Sequence, residues 1–489
     1  MSLTMDDDEG FPRMDVQFNV SDLSVLSLTG PKKTILFSNE YYQGIHNESL
    51  YLAGYRSTIP PGIYTIKAVD VSKNTIYEND LQFTGVDLAL TSLSEDLWSG
   101  NAGSLVVAFH LTVKNSGDLP AYPSHLVVSQ GTTTIQALLL PTVVLPAKSE
   151  QIPCFIPSSA LSSMDGQVNI SLSDDTGNIL LDQRVTVVKK NLVASWEYRW
   201  YYHGDHTLQI PSVEWLSDYY KGKDRFDILD YTAYVFDPFD DHYIGFLVNQ
   251  LFSLTHLTTD VEKINFVASF VQSIDYKKDD PDNESYEYPR FPLETLKDRQ
   301  GDCEDKAILA AALLDTLGYN VSLIRLPQHM AVGVHLNDTM PMYSYYIDQY
   351  YFLETTTLHM ALGEVPSEYQ GLTNVTVYPI SVRPLLIHQW KSATRYQIST
   401  GGDYVRIHMI LENLGTAAAG NIEIRGAFYG NASLLYNQQT IDVPAMIAGE
   451  KRLVELSVDV PSGVSTTLKT QVYLDGIMVN QRESSQRFQ

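Results

Sequence analysis

The stretch Gly301-Asp302-Cys303-Glu304-Asp305-Lys306-Ala307-Ile308-Leu309 sets the reading of the chain. Asp302 is a natural N-cap, and Asp305, three residues on, completes a box-like cap, so a helix is expected over 303–317. Gly318 stands where a left-handed C-cap belongs. Unpaired N–H groups and the helix dipole in the first turn favour an anion, so the Cys303 thiol is expected to shift toward thiolate. Cysteines at helix starts are usually packing residues, but a packing cysteine rarely has Asp, Glu and Asp as neighbours.

A thiol nucleophile needs a base within hydrogen-bond reach, and the base needs a partner to hold its tautomer. Downstream, strand-like runs over 321–326, 330–336 and 350–355 carry the candidates His329 and Glu354. Antiparallel pairing across the loop 337–344 brings their side chains together. His335 shares the strand face of His329, but stands about 20 Å further along, outside any common site. Upstream, Asp240-Asp241 opens a helix with Ile244, Leu247, Val248 and Leu251 on one face, and Thr259-Asp260-Val261-Glu262 is a capping box before another. Helices followed by strands make 190–385 an α+β domain.

Both flanks read as strands. Val107-Ala108-Phe109-His110-Leu111 … Asn115-Ser116-Gly117 repeats as Val405-Arg406-Ile407-His408-Met409 … Asn413-Leu414-Gly415, an offset of 298. The same offset aligns Ala121 with Ala419, and Leu145-Pro146-Ala147 with Val443-Pro444-Ala445, so the register is expected to run without a gap. Alternation with turn signals about every ten residues makes each copy a β-sandwich, over 86–188 and 388–486. Asn-x-Gly is expected where a strand reverses, because both residues tolerate positive φ. The copies resemble the adhesion-type, immunoglobulin-like sandwiches of prokaryotic cell surfaces. A small antiparallel β domain is expected over 11–85. Met1-Ser2-Leu3-Thr4 reads as an appended scar, followed by the acidic run Asp6-Asp7-Asp8-Glu9.

Composition narrows the function. The 489 residues carry 58 acidic and 33 basic side chains, a formal charge of −25, which argues against nucleic-acid binding and docking on anionic lipid. The most apolar run, 308–314, is far too short for a membrane span. Two cysteines, Cys154 and Cys303, cannot build a four-thiolate zinc site, and Cys154 in Ile152-Pro153-Cys154-Phe155-Ile156 reads as packing. Asn-x-Ser/Thr sequons stand at Asn19, Asn47, Asn169, Asn283, Asn320, Asn337, Asn374 and Asn431 among 21 asparagines. About three are expected by chance, so export is the better reading, with the signal or anchor segment missing from this sequence. The acidic stretch Asp279-Asp280-Pro281-Asp282-Asn283-Glu284 lacks calcium-hand spacing and reads as a solvated loop.

The order Gly301-Asp302-Cys303-Glu304-Asp305, then His329, then Glu354-Thr355-Thr356 resembles the transglutaminase-like superfamily. The lead-in from Tyr286 to Leu296 is similar to that of its archaeal cysteine-protease-like members. The resemblance covers about 231–366, roughly the middle third of the chain. It implies a multidomain protein whose α+β papain-like core is flanked by all-β sandwiches, with acyl transfer by Cys303, His329 and Glu354 and no cofactor or metal. Glu354 stands where the family has Asp, with Asp348 in reserve. Tyr276, where relatives place an aromatic donor, and Gln300 are oxyanion candidates beside the Cys303 N–H. Three readings follow: a peptidase or amidase acting on peptide or protein amides, a protein cross-linker, and a non-catalytic surface or adhesive protein with a papain-like binding domain. Hydrolysis is preferred because it needs no second binding site. The sandwiches would meet cell-envelope partners; nothing in the sequence sets the oligomeric state.

Overall fold

Alternating apolar and polar residues dominate both ends of the chain, and strands form there, while the 3.6-residue period is confined to the middle. The computed structural model describes residues 2–100, 103–158, 167–279, 287–337, 350–397, 402–430 and 434–488. By contact it divides into two units, Met1–Ser195 and Trp196–Gln489. The fold is multidomain and mostly β, with sandwich-like β domains and a helical region near the middle.

In the first unit, seven short strands form a three-stranded and a four-stranded sheet around Met14, Val16, Leu28, Leu50, Tyr64 and Ile66. The reading of the first residues as an appended scar is corrected here for Ser2–Thr4. Ser2–Asp8 is a strand paired along Phe11–Val20, and Asp6 and Asp8 both face Arg13, at 3.0 and 3.9 Å. Three consecutive acids disguised that strand; two of them pair with Arg13 across the ladder. Two four-stranded sheets follow, enclosing Phe109, Leu111, Leu126, Ile152 and Ile170. Cys154 is buried in that core with its thiol pushed up to about 12 by burial, and neither cysteine is in a disulfide.

The two repeat copies share their opening strands and their asparagine. Asn115 Nδ2 donates to the Leu119 and Val144 carbonyls at 2.8 and 2.9 Å; Asn413 Nδ2 donates to the Ala417 carbonyl at 2.8 Å and the Met446 carbonyl at 3.4 Å. Two expectations are corrected. The offset is 298 at Asn115 and Asn413, but the bridges Ala121–Val144 and Ala419–Met446 put it at 302, so the second copy has four more residues between them. Leu145-Pro146-Ala147 therefore corresponds to Ile447-Ala448-Gly449, with Ala147 and Gly449 both at positive φ, 60° and 73°. The extra residues fall in the intervening hairpin, whose strands are longer in the second copy. Nor do Gly117 and Gly415 have positive φ. A Cβ at Gly117 would stand 2.2 Å from the Gly85 carbonyl oxygen, and one at Gly415 2.2 Å from that of Arg383. Close backbone approach is what requires glycine there.

In the second unit, five α-helices among the described residues precede a small sheet: α1 (Glu214–Lys221), α2 (Asp241–Phe252), α3 (Asp260–Gln272), α4 (Pro292–Asp298) and α5 (Cys303–Thr316). Thr259 and Glu262 cap α3 reciprocally, as expected. Every residue of α5 from Glu304 to Leu314 is buried, so α5 is a central helix packed against α2, α3, α4 and two strands. Gly318 closes it at φ 85°, with Tyr319 N–H reaching back to the Leu314 carbonyl at 3.1 Å. The sheet runs antiparallel in the order Tyr350–Leu353, His329–His335, Asn320–Leu326, Thr376–Pro379.

The second sandwich copy buries a histidine. His388 is fully enclosed; Nδ1 lies 2.6 Å from Asn480 Oδ1 and Nε2 lies 2.7 Å from Thr470 Oγ1, which also accepts from Trp390 Nε1 at 2.6 Å. That network is satisfied by neutral imidazole, with Nδ1–H donating and Nε2 accepting. Burial and, secondarily, the Arg482 charge push His388 down to about 4, against the opposing Asn480 bond. Its folded value lies below its unfolded one, so the stabilisation is full above about pH 6.5 and is lost as the pH falls through about 4. Acidification over that window is expected to weaken this sandwich by up to about 3 kcal/mol, and His388→Gln to flatten the slope. Urea denaturation of both proteins across the window checks it; identical slopes would refute it.

Candidate active site

The Gly-x-Cys-x-Asp spacing has a mechanical origin. A Cβ on Gly301 would lie 2.6 Å from the Asp305 Cβ, so only glycine lets Asp305 fold back over the start of α5. The fully buried Asp305 carboxylate accepts from the Asp302 N–H at 3.3 Å and the Arg290 N–H at 2.7 Å, and ion-pairs with the Arg290 guanidinium. Arg290 also holds Asp279 at 2.8 Å. The first turn of α5 is thereby tied to the segment ahead of α4. Cys303, its first residue, is half-buried.

His329 opens the strand against which α5 packs, and Glu354 directly follows the neighbouring strand Tyr350–Leu353. Their side chains meet: His329 Nε2 lies 3.0 Å from Glu354 Oε2, with both groups buried. The second Glu354 oxygen accepts from the Thr356 N–H at 2.7 Å and from the Thr356 hydroxyl. Burial pushes the Glu354 carboxyl up, but its bond to His329, the imidazolium charge and the Thr356 donors outweigh it and bring it down to about 2. With Nε2–H donating to Glu354, Nδ1 is the free acceptor of the ring. Tyr369 lies flat on the imidazole, ring centroids 4.7 Å apart and planes 2° from parallel.

Helix α5 packs against the histidine strand, and the Met330 backbone N–H, next to His329, works to lower the Cys303 thiol against the larger effect of burial. Tyr276 and Gln300 come to the same place by a parallel two-residue ladder, Asp275 with Gln300 and Tyr276 with Gly301. The Tyr276 ring is half exposed, and its hydroxyl is pushed up to about 12 by burial and by Cys303, Asp302 and Glu304. His335 stands at the far end of its strand, opposite Tyr350, and Asp348 lies outside the described residues.

The expected thiolate shift is corrected. Burial, then the charges of Glu304 and Asp302, push the Cys303 thiol well above the ordinary range, and Sγ–H donates to Glu304 Oε2 at 3.3 Å. The dipole is outweighed because three carboxylates share the same helix end. Burial and contact with Asp302 likewise push the Glu304 carboxyl up, to about 10.

Two buried supports escaped the sequence. Gln272 donates from Nε2 to the Glu354 and Met360 carbonyls, both at 2.9 Å, and accepts from the His359 N–H at 3.0 Å. Lys306, fully enclosed, donates to the Gln272 and Ile274 carbonyls at 3.2 and 2.7 Å, closing the end of α3; burial brings it down to about 8. Alternation and spacing carry no signal for either, since their partners lie in other elements.

Residues 247–378 match the family model of the transglutaminase-like domain, a segment that contains Cys303, His329 and Glu354. None of the curated proteins matches the chain. Among solved structures, red sea bream transglutaminase is similar at 11% identity over 77% of this chain and 79% of its own, with a TM-score of 0.17. A protein named "putative beta-galactosidase" from Bacteroides fragilis is similar at 8% identity over 34% of this chain, with a TM-score of 0.19; the chain spans 30% of its length. At such scores neither likeness bears on fold or function.

The folded Glu354 value of about 2 lies below the ordinary 4.5, so its stabilisation is complete above about pH 4.5 and is lost as the pH falls toward 2. Glu354→Gln is therefore expected to destabilise the protein by about 2–3 kcal/mol at neutral pH, with the difference closing in acid. Guanidinium denaturation across that range measures it, and an equal deficit at every pH would rule out the ionic contact as the cause.

Proposed function

We propose that the chain is a thiol-dependent peptidase or amidase of the transglutaminase-like kind, acting by acyl transfer. Cys303 Sγ attacks an amide or ester carbonyl while its proton passes to His329 Nδ1. Glu354 holds the ring and stabilises its charged form. The tetrahedral oxyanion is met by the Cys303 N–H, with Tyr276 and Gln300 as further donors at the mouth. His329 then protonates the departing amine, and water releases the acid from the thioester. Because burial and the neighbouring acids push the Cys303 thiol up, His329 is assigned the part of general base during attack. The buried 3.0 Å contact between His329 and Glu354, on the strand beside the cysteine helix, carries this reading.

Export or surface attachment belongs to the same proposal, with 190–385 as the catalytic part and the sandwiches 86–188 and 388–486 spacing it from cell-envelope partners. All six sequon asparagines among the described residues, Asn19, Asn47, Asn169, Asn320, Asn337 and Asn374, are exposed, which supports it; Asn283 and Asn431 lie outside the described residues. Among the described residues no helix is long and apolar enough to cross a membrane. The raised Cys303 thiol favours a second reading, a non-catalytic papain-like binding domain.

An activated ester separates the two. Short incubation with p-nitrophenyl acetate is expected to leave an acetyl group on Cys303, read by peptide mass, and His329→Gln to slow its formation about 100-fold or more. Acylation no faster than that of a free thiol, or indifferent to His329, would leave the binding domain.

A further inference from the structure

We propose that Tyr369 is a positioning residue for His329: its ring lies on one face of the imidazole and fixes the direction of the free Nδ1. The proposal rests on the acyl-transfer reading and adds a residue to it. Ring centroids stand 4.7 Å apart with planes 2° from parallel, an offset stack. Among the described residues the next most nearly parallel ring pair, Tyr396 with Tyr404, is 14° off.

Glu354 by itself leaves the imidazole one freedom. It tethers Nε2 at 3.0 Å, and a ring held at Cβ and Nε2 still turns about the line joining them, which swings Nδ1. A flat neighbour closes one side of that swing. The His329 side chain is only 7% exposed, and the tyrosine shields the face it covers. When His329 takes up the thiol proton, that tyrosine face meets a cation, which the ring quadrupole attracts.

Tyr369 is itself held in place. Its N–H donates to the Pro366 carbonyl at 3.0 Å in the turn Ser367–Tyr369, and Gln370 Nε2 donates to the Val365 carbonyl at 2.9 Å. With Val365 and Leu372 it packs on Leu326, Ala331 and Phe352. Leu326 stands opposite His329 in the ladder and Ala331 two residues along, so the patch that backs Tyr369 belongs to the hairpin that carries His329. Packing alone would account for an aromatic ring there, but not for its electrical surroundings. After burial, the charges of Glu354, Glu368 and Cys303 push its hydroxyl up, so Tyr369 is within electrostatic reach of both the carboxylate and the thiol.

The test compares the full chain with Tyr369→Leu, Tyr369→Met and Tyr369→Phe in two readouts, both taken by peptide mass. One is acetylation of Cys303 by p-nitrophenyl acetate, the other carbethoxylation of His329 by diethyl pyrocarbonate. Leu and Met fill the space without a flat face, and each is expected to slow acetylation at least about tenfold and to speed carbethoxylation several-fold. Two such variants are used so that one remains if the other does not fold, which urea denaturation reports. Phe keeps the flat ring and is expected to recover most of the acetylation rate and the shielding. Leu or Met performing as well as Phe would reduce Tyr369 to packing, and Phe failing as they do would shift the role to the hydroxyl; either overturns the proposal. Acetylation of the unaltered chain that ignores His329 would instead sink the acyl-transfer reading itself, and carbethoxylation would still decide whether Tyr369 holds the ring.

Discussion

The site hangs from the buried contact of Asp305 with Gly301 and Arg290. Helix α5 has no polar face to orient it, so packing alone would leave its rotation and its starting point loosely set. Asp305 supplies both. It caps the helix from within, sits where any side chain at 301 would clash, and reaches across to the backbone and guanidinium of Arg290. Without that anchor, Cys303 would have no defined position relative to the strand that carries His329.

A second layer of support is indirect. Lys306 and Gln272 touch neither the sulfur nor the imidazole. Lys306 holds the carbonyl end of α3, and Gln272, at that end, holds the backbone of Glu354 and of the segment after it. The carboxylate that orients the histidine is thus fixed by its side chain to His329 and Thr356, and by its backbone to α3. Burial of the Lys306 ammonium is tolerable because the charges of Glu354 and Asp275 favour it and two backbone carbonyls accept from it.

Local chemistry was legible in the sequence, and long-range chemistry was not. The Asp302–Asp305 box, the Gly318 stop and the Thr259–Glu262 box each depend on residues within one turn, and each stands where its residues place it. His329 and Glu354 were reachable because two adjacent strands impose one register. Gln272 and Lys306 bond across separations of 82 and 34 residues, which no period or spacing encodes. Tyr369 stacks on His329 from a short turn between the strands Tyr350–Leu353 and Thr376–Pro379. The repeat failed in register for a related reason: a hairpin can lengthen by a pair of residues on each strand without changing either flank, so matching flanks do not fix what lies between.

The thiol shows why a single local rule can mislead. A helix N-terminus lowers the cost of one negative charge, and Cys303 read alone would claim it. Asp302, Glu304 and Asp305 draw on the same few N–H groups and the same half-charge, and a dipole worth about 1 kcal/mol cannot favour four anions within one turn. Burial then decides which groups keep their protons. It raises all of them, most of all the thiol and Glu304, which are bonded to each other. Burial and the acidic neighbours of Cys303 therefore weigh more on its thiol than does the helix it begins.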